Sequence, residues 1–132
     1  MPIPPTGTPV GLEIPVKDTA RASSFYSAVF NWSFSPETNV GAPPEFLLVF
    51  NVPGDMFPGG GIIRKVKDAE LATVPGTTKI YFYVDNMETA MERIVKNGGK
   101  KISDKEPEGD KAFYQFFEDS EGNGQAIYSY AK

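Results

Sequence analysis

The sequence contains neither cysteine nor histidine. Without cysteine, the fold cannot rest on disulfides, thiolate metal sites or a thiol nucleophile. Without histidine, the commonest general base and metal ligand is missing, which excludes serine-histidine triads and the usual zinc signatures. Any acid-base or binding chemistry must therefore come from other residue types.

Positive charge and long apolar runs are also scarce. Lys and Arg number 13 against 17 Asp and Glu, which gives a net charge of -4 and opposes binding to nucleic acid. No apolar run approaches the roughly 20 residues that span a bilayer. The opening MPIPPTGTPV lacks the charged and apolar regions of a signal peptide. We therefore predict a cytoplasmic protein with no nucleic-acid or membrane partner.

Two segments share one strand-helix pattern. The first has an alternating strand ending at Val16 and a cap at Asp18 or Thr19, followed by apolar residues at helical spacing: Ala22, Phe25, Tyr26, Val29 and Phe30. The second starts at Lys79, 68 positions after Gly11, with a strand to Val84 and a helix whose apolar residues are Met87, Ala90, Met91, Ile94 and Val95. This repeat predicts a duplicated module.

Further strands complete the first module. Within the connection 31–44, a short strand carries Trp32 and Phe34 as expected core residues. Two further strands cover Glu45 to Val52 and Gly61 to Val66, with the turn PGDMFPGGG between them. Residues 1–9 are rich in proline and predict an extended arm. The polar segment 67–78 predicts a linker, so the single domain 1–132 divides into modules 1–66 and 67–132.

The second module repeats this plan. Residues 100–103 predict a short strand, 104–110 an acidic loop, and 112–118 and 125–130 two strands joined by the turn DSEGNG. Each module therefore has the order βαβββ, and the fold class is α+β.

The two ends of this pattern resemble the vicinal oxygen chelate superfamily, which includes glyoxalase I, bleomycin resistance proteins and extradiol dioxygenases. LEIPVKDTARASSFYSAVFNW is similar to the family's opening segment, and FFEDSEGNGQAIYS to its closing turn and strand. The resemblance implies that the two βαβββ modules form a cup-shaped mixed sheet with helices outside. It also implies a cavity that in many members holds a divalent metal and a small ligand. Module pairing between chains in the family, and exposed sheet edges, predict a homodimer.

The resemblance also implies where metal ligands would stand. The corresponding residues are Gly11, Lys79, Ala126 and one of Gly61, Ile62 and Ile63. Glycine, alanine and isoleucine have no donor side chain, and lysine would have to lose its proton. We therefore predict no metal and no other cofactor at this centre.

Strand alternation predicts which side chains face the cup. Glu13 shares a face with Gly11, Tyr81 and Tyr83 share one with Lys79, and Tyr128 follows by alternation from Ala126. We expect Glu13 and Lys79 to lie within salt-bridge distance. The pair could be a structural ion pair, a ligand contact or an acid-base pair with pKa values shifted by burial.

Aromatic residues are abundant in the predicted strands, and about half of them can face the cup: Phe46, Phe50, Phe57, Tyr81, Tyr83, Phe113, Tyr114, Phe116, Phe117 and Tyr128. Such a lining favours an apolar or aromatic ligand with a polar handle. The helix residues Phe25, Tyr26 and Phe30 are predicted to be core by periodicity.

Two glycine-containing segments have alternative interpretations. Asp119, Glu121 and Asn123 match positions 1, 3 and 5 of a calcium loop, but Tyr130 stands where position 12 requires glutamate, which favours a plain hairpin turn. Residues 59–61 have no phosphate-loop context and predict a flexible hairpin tip, with a lid over the cup as the alternative.

Three functions remain open from the sequence. The first is a metal-free binder of a small apolar or aromatic molecule, with Glu13, Lys79, Tyr81, Tyr83 and Tyr128 as ligand contacts. The second is a metal-independent isomerase, lyase or cyclase in which Glu13, Lys79 or a cavity tyrosine transfers a proton. The third is an interaction domain whose cup is filled by aromatic side chains.

Overall fold

The computed structural model describes residues 3, 5–6, 11–38, 41–54, 57, 60–67 and 79–131. Within them no helix is long and apolar enough to cross a membrane. The elements in chain order are β1 (Leu12–Val16), α1 (Thr19–Phe30), β2 (Ser33–Pro36), β3 (Leu47–Asn51), β4 (Gly61–Lys65), β5 (Tyr81–Tyr83), α2 (Met87–Lys96), β6 (Lys100–Lys101), β7 (Glu106–Glu108), β8 (Ala112–Glu118) and β9 (Gly124–Tyr130). The predicted arm and linker lie almost entirely outside the described residues.

The strands form two open sheets, one from each half of the chain. The first has the order β1-β4-β3-β2 and the second β5-β9-β8-β6, with β7 also paired to β8. In each sheet the first strand is parallel to its neighbour and the other pairings are antiparallel. The predicted α+β class is therefore confirmed, and the βαβββ order repeats if β6 and β7, which both pair with β8, are counted as one interrupted strand.

The predicted acidic loop 104–110 contains a strand, so that prediction is wrong in part. One edge of β8 pairs with β6 and, further along, with β7. Between them the N–H groups of Ile102 and Ser103 both donate to the Phe116 carbonyl, and the Ser103 hydroxyl accepts from the Phe116 N–H at 2.9 Å. Ser103 thus replaces a regular backbone pairing and interrupts the strand, as bulges do.

Both helices begin with a side-chain cap, and the cap of α1 is Asp18, one of its two predicted cap residues. Asp18 accepts a hydrogen bond from the Arg21 N–H at 3.0 Å, and Asn86 accepts one from the Thr89 N–H at 2.9 Å. The predicted apolar residues of α1 and α2 are buried or partly buried, except Val95, which is 53% exposed. Val95 lies in the last turn of α2, beyond the edge of the packed stripe.

The two halves share one aromatic core. Trp32 stacks between Tyr26 and Phe50, with ring centroids 4.8 and 4.3 Å away. Phe82 of the second half stacks on Phe30 of the first at 4.5 Å. Such pairs contribute about 0.5–1.5 kcal/mol each beyond the area that they bury. The halves are therefore held together by the same rings that fill the interior.

Gly60 and Gly61 are packed at the start of β4, which contradicts a mobile tip or lid at these two residues. Gly60 is buried and has a φ of 55°. A Cβ on Gly60 would collide with the Phe50 carbonyl, and a Cβ on Gly61 with the Leu12 carbonyl and the Phe50 ring. The glycines thus permit close approach of three strands. Gly59 lies outside the described residues.

The turn between β8 and β9 connects the second half to helix α1. The Glu121 carboxylate accepts hydrogen bonds from the backbone N–H groups of Lys17 and Asp18 at 2.7 and 3.0 Å. It also binds the Arg21 guanidinium in a two-point contact at 2.7 and 2.9 Å. The Glu121 side chain is fully buried. A carboxylate at the positive end of a helix, paired with arginine, is strongly stabilised there.

Asp119 completes this connection, which we call the turn clasp (Asp119, Glu121 and Asn123). Its carboxylate accepts from the Tyr26 hydroxyl at 2.7 Å, and the Asn123 amide donates to the Pro15 carbonyl at 2.8 Å. Burial raises the pKa of Asp119, although its hydrogen bonds oppose the shift. The plain-hairpin interpretation is therefore incomplete, and the carboxylates are bound to groups of the first half rather than gathered in a calcium loop.

The turn clasp predicts an acid-sensitive contribution to stability. Burial would raise the pKa of Glu121, but the hydrogen bonds from Arg21, Lys17 and Asp18 outweigh it and lower this pKa. A lowered folded-state pKa stabilises the fold above the unfolded pKa, and the contribution is lost as pH falls through the folded value. We expect Glu121→Gln to cost about 2 kcal/mol near neutral pH, and less as pH falls below about 4.

Urea unfolding of the parent and variant at several pH values measures this difference. Glu92→Gln changes an exposed carboxylate of α2 and is the control, expected to unfold as the parent does. A cost for Glu121→Gln that is independent of pH, or no larger than that of the control, would contradict the role of the charge.

Candidate functional site

The second sheet has one face that carries most of the chain's tyrosines. Pairing places Tyr83, Tyr128, Tyr114 and Glu106 in one row across four strands. The next row holds Tyr130, Ala112 and Glu108, and the row on the other side holds Tyr81, Ala126 and Phe116. We call this surface the tyrosine face. Its opposite face carries Phe82, Ile127 and Phe117, which are core.

A pocket of about 640 Å³ lies on the tyrosine face. It is lined by five tyrosines and one carboxylate: Tyr81, Tyr83, Glu108, Tyr114, Tyr128 and Tyr130. The pKa of the Tyr128 phenol is raised, mainly because the phenol is partly removed from water and also because the Glu108 carboxylate lies nearby. The hydrogen bond that Tyr83 donates to Asp85 at 2.9 Å raises the pKa of Tyr83. Both phenols therefore remain protonated at neutral pH.

A second recess, which we call the apolar cleft, lies between the two halves and has a volume of about 890 Å³. The first half lines it with Leu12, Phe30, Trp32, Val52, Pro53 and Phe57. The second half contributes Lys79, Ile80, Tyr81, Phe82, Tyr83 and Tyr130. Lys79 is the one charged side chain among these described residues. The volume is within the range of about 300–1,000 Å³ that small-molecule sites occupy.

The predicted pairing of Glu13 with Lys79 is wrong. Glu13 forms its ion pair with Arg64 on the neighbouring strand β4, and both side chains are about half exposed. The Lys79 ammonium lies 5.5 Å from the centre of the Phe116 ring. Both residues are exposed, but Glu13 lies in β1 of the first sheet and Lys79 lies two residues before β5 of the second. The repeat gives them equivalent positions in their own halves and does not determine how the two sheets are placed relative to each other.

The other predicted contacts are brought together. Tyr81, Tyr83 and Tyr128 all line the pocket on the tyrosine face, and Lys79 joins Tyr81 and Tyr83 in the apolar cleft. Glu13 is not among the described residues that line either recess. Of the predicted strand aromatics, Phe50 and Phe117 are core instead.

Sequence reasoning did not assign Tyr130, Glu108, Phe30 or Trp32 to a site. Tyr130 could have been found by the alternation that selects Tyr128. Glu108 was missed because its segment was predicted to be a loop. Phe30 and Trp32 follow core periodicity and also line the cleft, a double role that periodicity cannot distinguish.

The side chains at the positions of a family metal centre do not fit a transition metal. Ala126 is fully buried, Lys79 contacts an aromatic ring, and Gly11 and Gly61 have no donor side chain. Among the described residues, no three acidic side chains are grouped as metal ligands.

Comparison with known proteins agrees with this architecture. The family model of the glyoxalase/bleomycin resistance protein/dioxygenase superfamily matches residues 9–126. The chain belongs to this superfamily. A glyoxylase-like domain-containing protein of Didymella fabae is 40% identical over 119 residues, which cover 89% of each protein.

Solved structures of the superfamily have the same fold at low sequence identity. A family enzyme from Burkholderia phytofirmans superposes with a TM-score of 0.68 at 15% identity, covering 92% of this chain and 98% of that one. A glyoxalase-related enzyme from Fulvimarina pelagi gives 0.68 at 16% identity, covering 93% and 88%. The βαβββ duplication of this superfamily member is thus a feature of the fold, and its function must be argued from its own side chains.

The ion pairs predict which residues are energetically coupled. In double-mutant cycles with Glu13→Gln, Arg64→Met and Lys79→Met, we expect a coupling of about 0.2–1 kcal/mol between Glu13 and Arg64, as for other exposed pairs. Glu13 and Lys79 should be additive within about 0.5 kcal/mol. Chemical unfolding of all single and double variants measures both couplings. A larger coupling for Glu13 with Lys79 than with Arg64 would contradict the observed arrangement.

Proposed function

We propose that this protein binds a small apolar or aromatic molecule with a polar handle, without a metal. The observation that carries the proposal is the apolar cleft, whose lining is aromatic and aliphatic apart from Lys79 and three phenols. Phe30, Trp32 and Phe82 line the cleft with ring carbons that an aromatic ligand would contact. Burial of such a ligand against these rings would supply most of the affinity.

The charge of Lys79 determines which polar group the ligand is expected to carry. It is the charged group of the cleft, and a buried or half-buried carboxylate of the ligand would gain a charge-assisted hydrogen bond from it. Lys79 also lies 3.1 Å from the point that a Cβ on Gly124 would occupy, so glycine there leaves room for the ammonium. The preferred ligand is therefore an aromatic acid or another apolar molecule with an acceptor group.

The catalytic alternative is a metal-independent isomerase, lyase or cyclase. The groups that could transfer a proton in it are Glu13, Lys79 or a cavity tyrosine. Glu13 instead pairs with Arg64 on an exposed surface, and the raised pKa values of Tyr83 and Tyr128 disfavour the phenolate at neutral pH. These observations favour the binding function over the catalytic one.

We also propose that the protein is cytoplasmic and forms a homodimer, with modules 1–66 and 67–132 in each chain. The support for dimerisation is the outer edge β2, whose pairing among the described strands is with β3 alone. An edge of this kind can pair with a second chain. A mass in solution that corresponds to one chain at micromolar concentration would contradict the dimer.

Calorimetric titration with 2-naphthoate and with uncharged 2-naphthamide tests the cleft. We expect both to bind with one site per chain in the presence of EDTA. Lys79→Gln should weaken 2-naphthoate by roughly three- to tenfold and change 2-naphthamide by less than about twofold, because only the carboxylate interacts with the ammonium.

Two further variants make this test decisive. Lys96→Gln removes an exposed lysine of α2 and should leave both titrations unchanged. Val52→Trp fills part of the cleft and should weaken both compounds, provided that its unfolding curve shows a folded protein. Failure of both compounds to bind, or binding that Val52→Trp does not affect, would overturn the proposal.

A further inference from the structure

The pocket on the tyrosine face differs in charge from the apolar cleft. No lysine or arginine is among the described residues that line it, and its charged lining residue is Glu108. Lys79 lies at the far end of the face, over Phe116, and Lys105 contacts Phe113 and Glu88 on the opposite side of β8. Glu106 follows Tyr114 in the row across the sheet. This end of the face is therefore aromatic and negative.

The tyrosine rings are arranged as walls rather than as a flat layer. Tyr128 and Tyr130 have centroids 5.7 Å apart and planes at 89°, and Tyr83 and Tyr130 are 5.7 Å apart at 40°. Ala112 lies between Tyr130 and Glu108 in the register, and its small side chain leaves space between the ring and the carboxylate. A compact group placed there would contact tyrosine rings and lie beside a negative charge.

Ring faces attract cations, because the face of an aromatic ring carries negative potential. The Tyr83 hydroxyl donates to Asp85, which makes its ring richer in electrons and leaves this hydroxyl fewer ways to bind a polar ligand. We propose that this pocket binds an organic cation of the quaternary ammonium class, held by Tyr128 and Tyr130 beside the Glu108 carboxylate.

The quaternary ammonium class follows from the balance of hydrogen-bonding groups. A primary ammonium has three donors that need acceptors, whereas a quaternary ammonium has none and loses less hydration energy on leaving water. The pocket offers many rings and one lining carboxylate, which suits the second kind of cation. This inference does not depend on ligand binding in the apolar cleft, although Tyr81, Tyr83 and Tyr130 line both recesses.

Calorimetric titration with choline chloride tests the pocket, with 3,3-dimethylbutan-1-ol as the uncharged carbon isostere. We expect choline to bind at least about fivefold more tightly than the isostere, because a cation–π contact changes affinity by about two- to fivefold at exposed sites and about thirtyfold in desolvated ones. Equal affinities would show apolar contact only and would overturn the proposal. The absence of choline binding in the millimolar range would overturn it as well.

Substitutions assign the effect to residues. Glu108→Gln and Tyr130→Leu should each weaken choline by roughly fivefold, and Tyr130→Phe should retain binding within about twofold, because it keeps the ring. Glu92→Gln on α2 removes a carboxylate of the same charge away from this face and should have no effect. Tyr130 is 63% exposed, so its variants are expected to fold. Choline affinity that is unchanged by both Glu108→Gln and Tyr130→Leu would contradict this site.

Discussion

The fully buried Glu121 carboxylate is the interaction on which the arrangement of the two halves depends. A buried charge is costly unless it is paired and hydrogen-bonded, and apart from the neighbouring Ser120 hydroxyl the groups that satisfy Glu121 lie at the start of α1 in the first half. The turn between β8 and β9 can therefore take its conformation only when α1 is in place. Through Asp119 and Tyr26 the same turn reaches the aromatic core. The hydrogen bonds to the Glu121 carboxylate and the packing of the aromatic core thus require the same relative position of the two halves.

That position also creates the apolar cleft. Trp32 and Phe82 belong to different halves, and their rings lie 5.6 Å apart at the boundary between core and cleft. Residues that stabilise the fold consequently form one wall of the proposed ligand site. The pocket on the tyrosine face is different, because residues of the second sheet alone line it. The two proposed sites differ accordingly: the cleft depends on the contact between halves, whereas the pocket on the tyrosine face depends on the register of β5, β9, β8 and β7.

Most of the secondary structure could be predicted from local patterns. Alternation in β1 and β9, the helical stripes of α1 and α2, and the cap at Asp18 are properties of neighbouring residues, and the structure has them. The interruption between β6 and β7 could not be predicted, because it arises when the Ser103 hydroxyl binds a backbone group 13 positions away. The turn clasp was missed for a similar reason. Its partners are separated by about a hundred residues, and a turn-forming sequence alone does not show what its carboxylates bind.

The candidate site was predictable only in part. Alternation selects a face within one strand, and it therefore found Tyr81, Tyr83 and Tyr128 together. The expected meeting of Glu13 and Lys79 required knowledge of how two strands from different sheets are placed, and the internal repeat does not supply it. Glu13 is opposite Ile62 in the register, and Arg64 lies two residues further along β4. The local pattern of polar residues does not show that Arg64 is close enough to pair with Glu13.

Trp32 gives the molecule an internal optical reporter. It is the only tryptophan of the chain, it is 5% exposed, and it stacks on Tyr26 while lining the apolar cleft. Light absorbed by nearby tyrosines can pass to this one indole, so its emission reports on the region where the halves meet. Separation of the halves would expose the indole to water and shift its emission to longer wavelength, while entry of an aromatic molecule would alter its intensity with the fold intact. The two events can therefore be distinguished by fluorescence of the unlabelled protein.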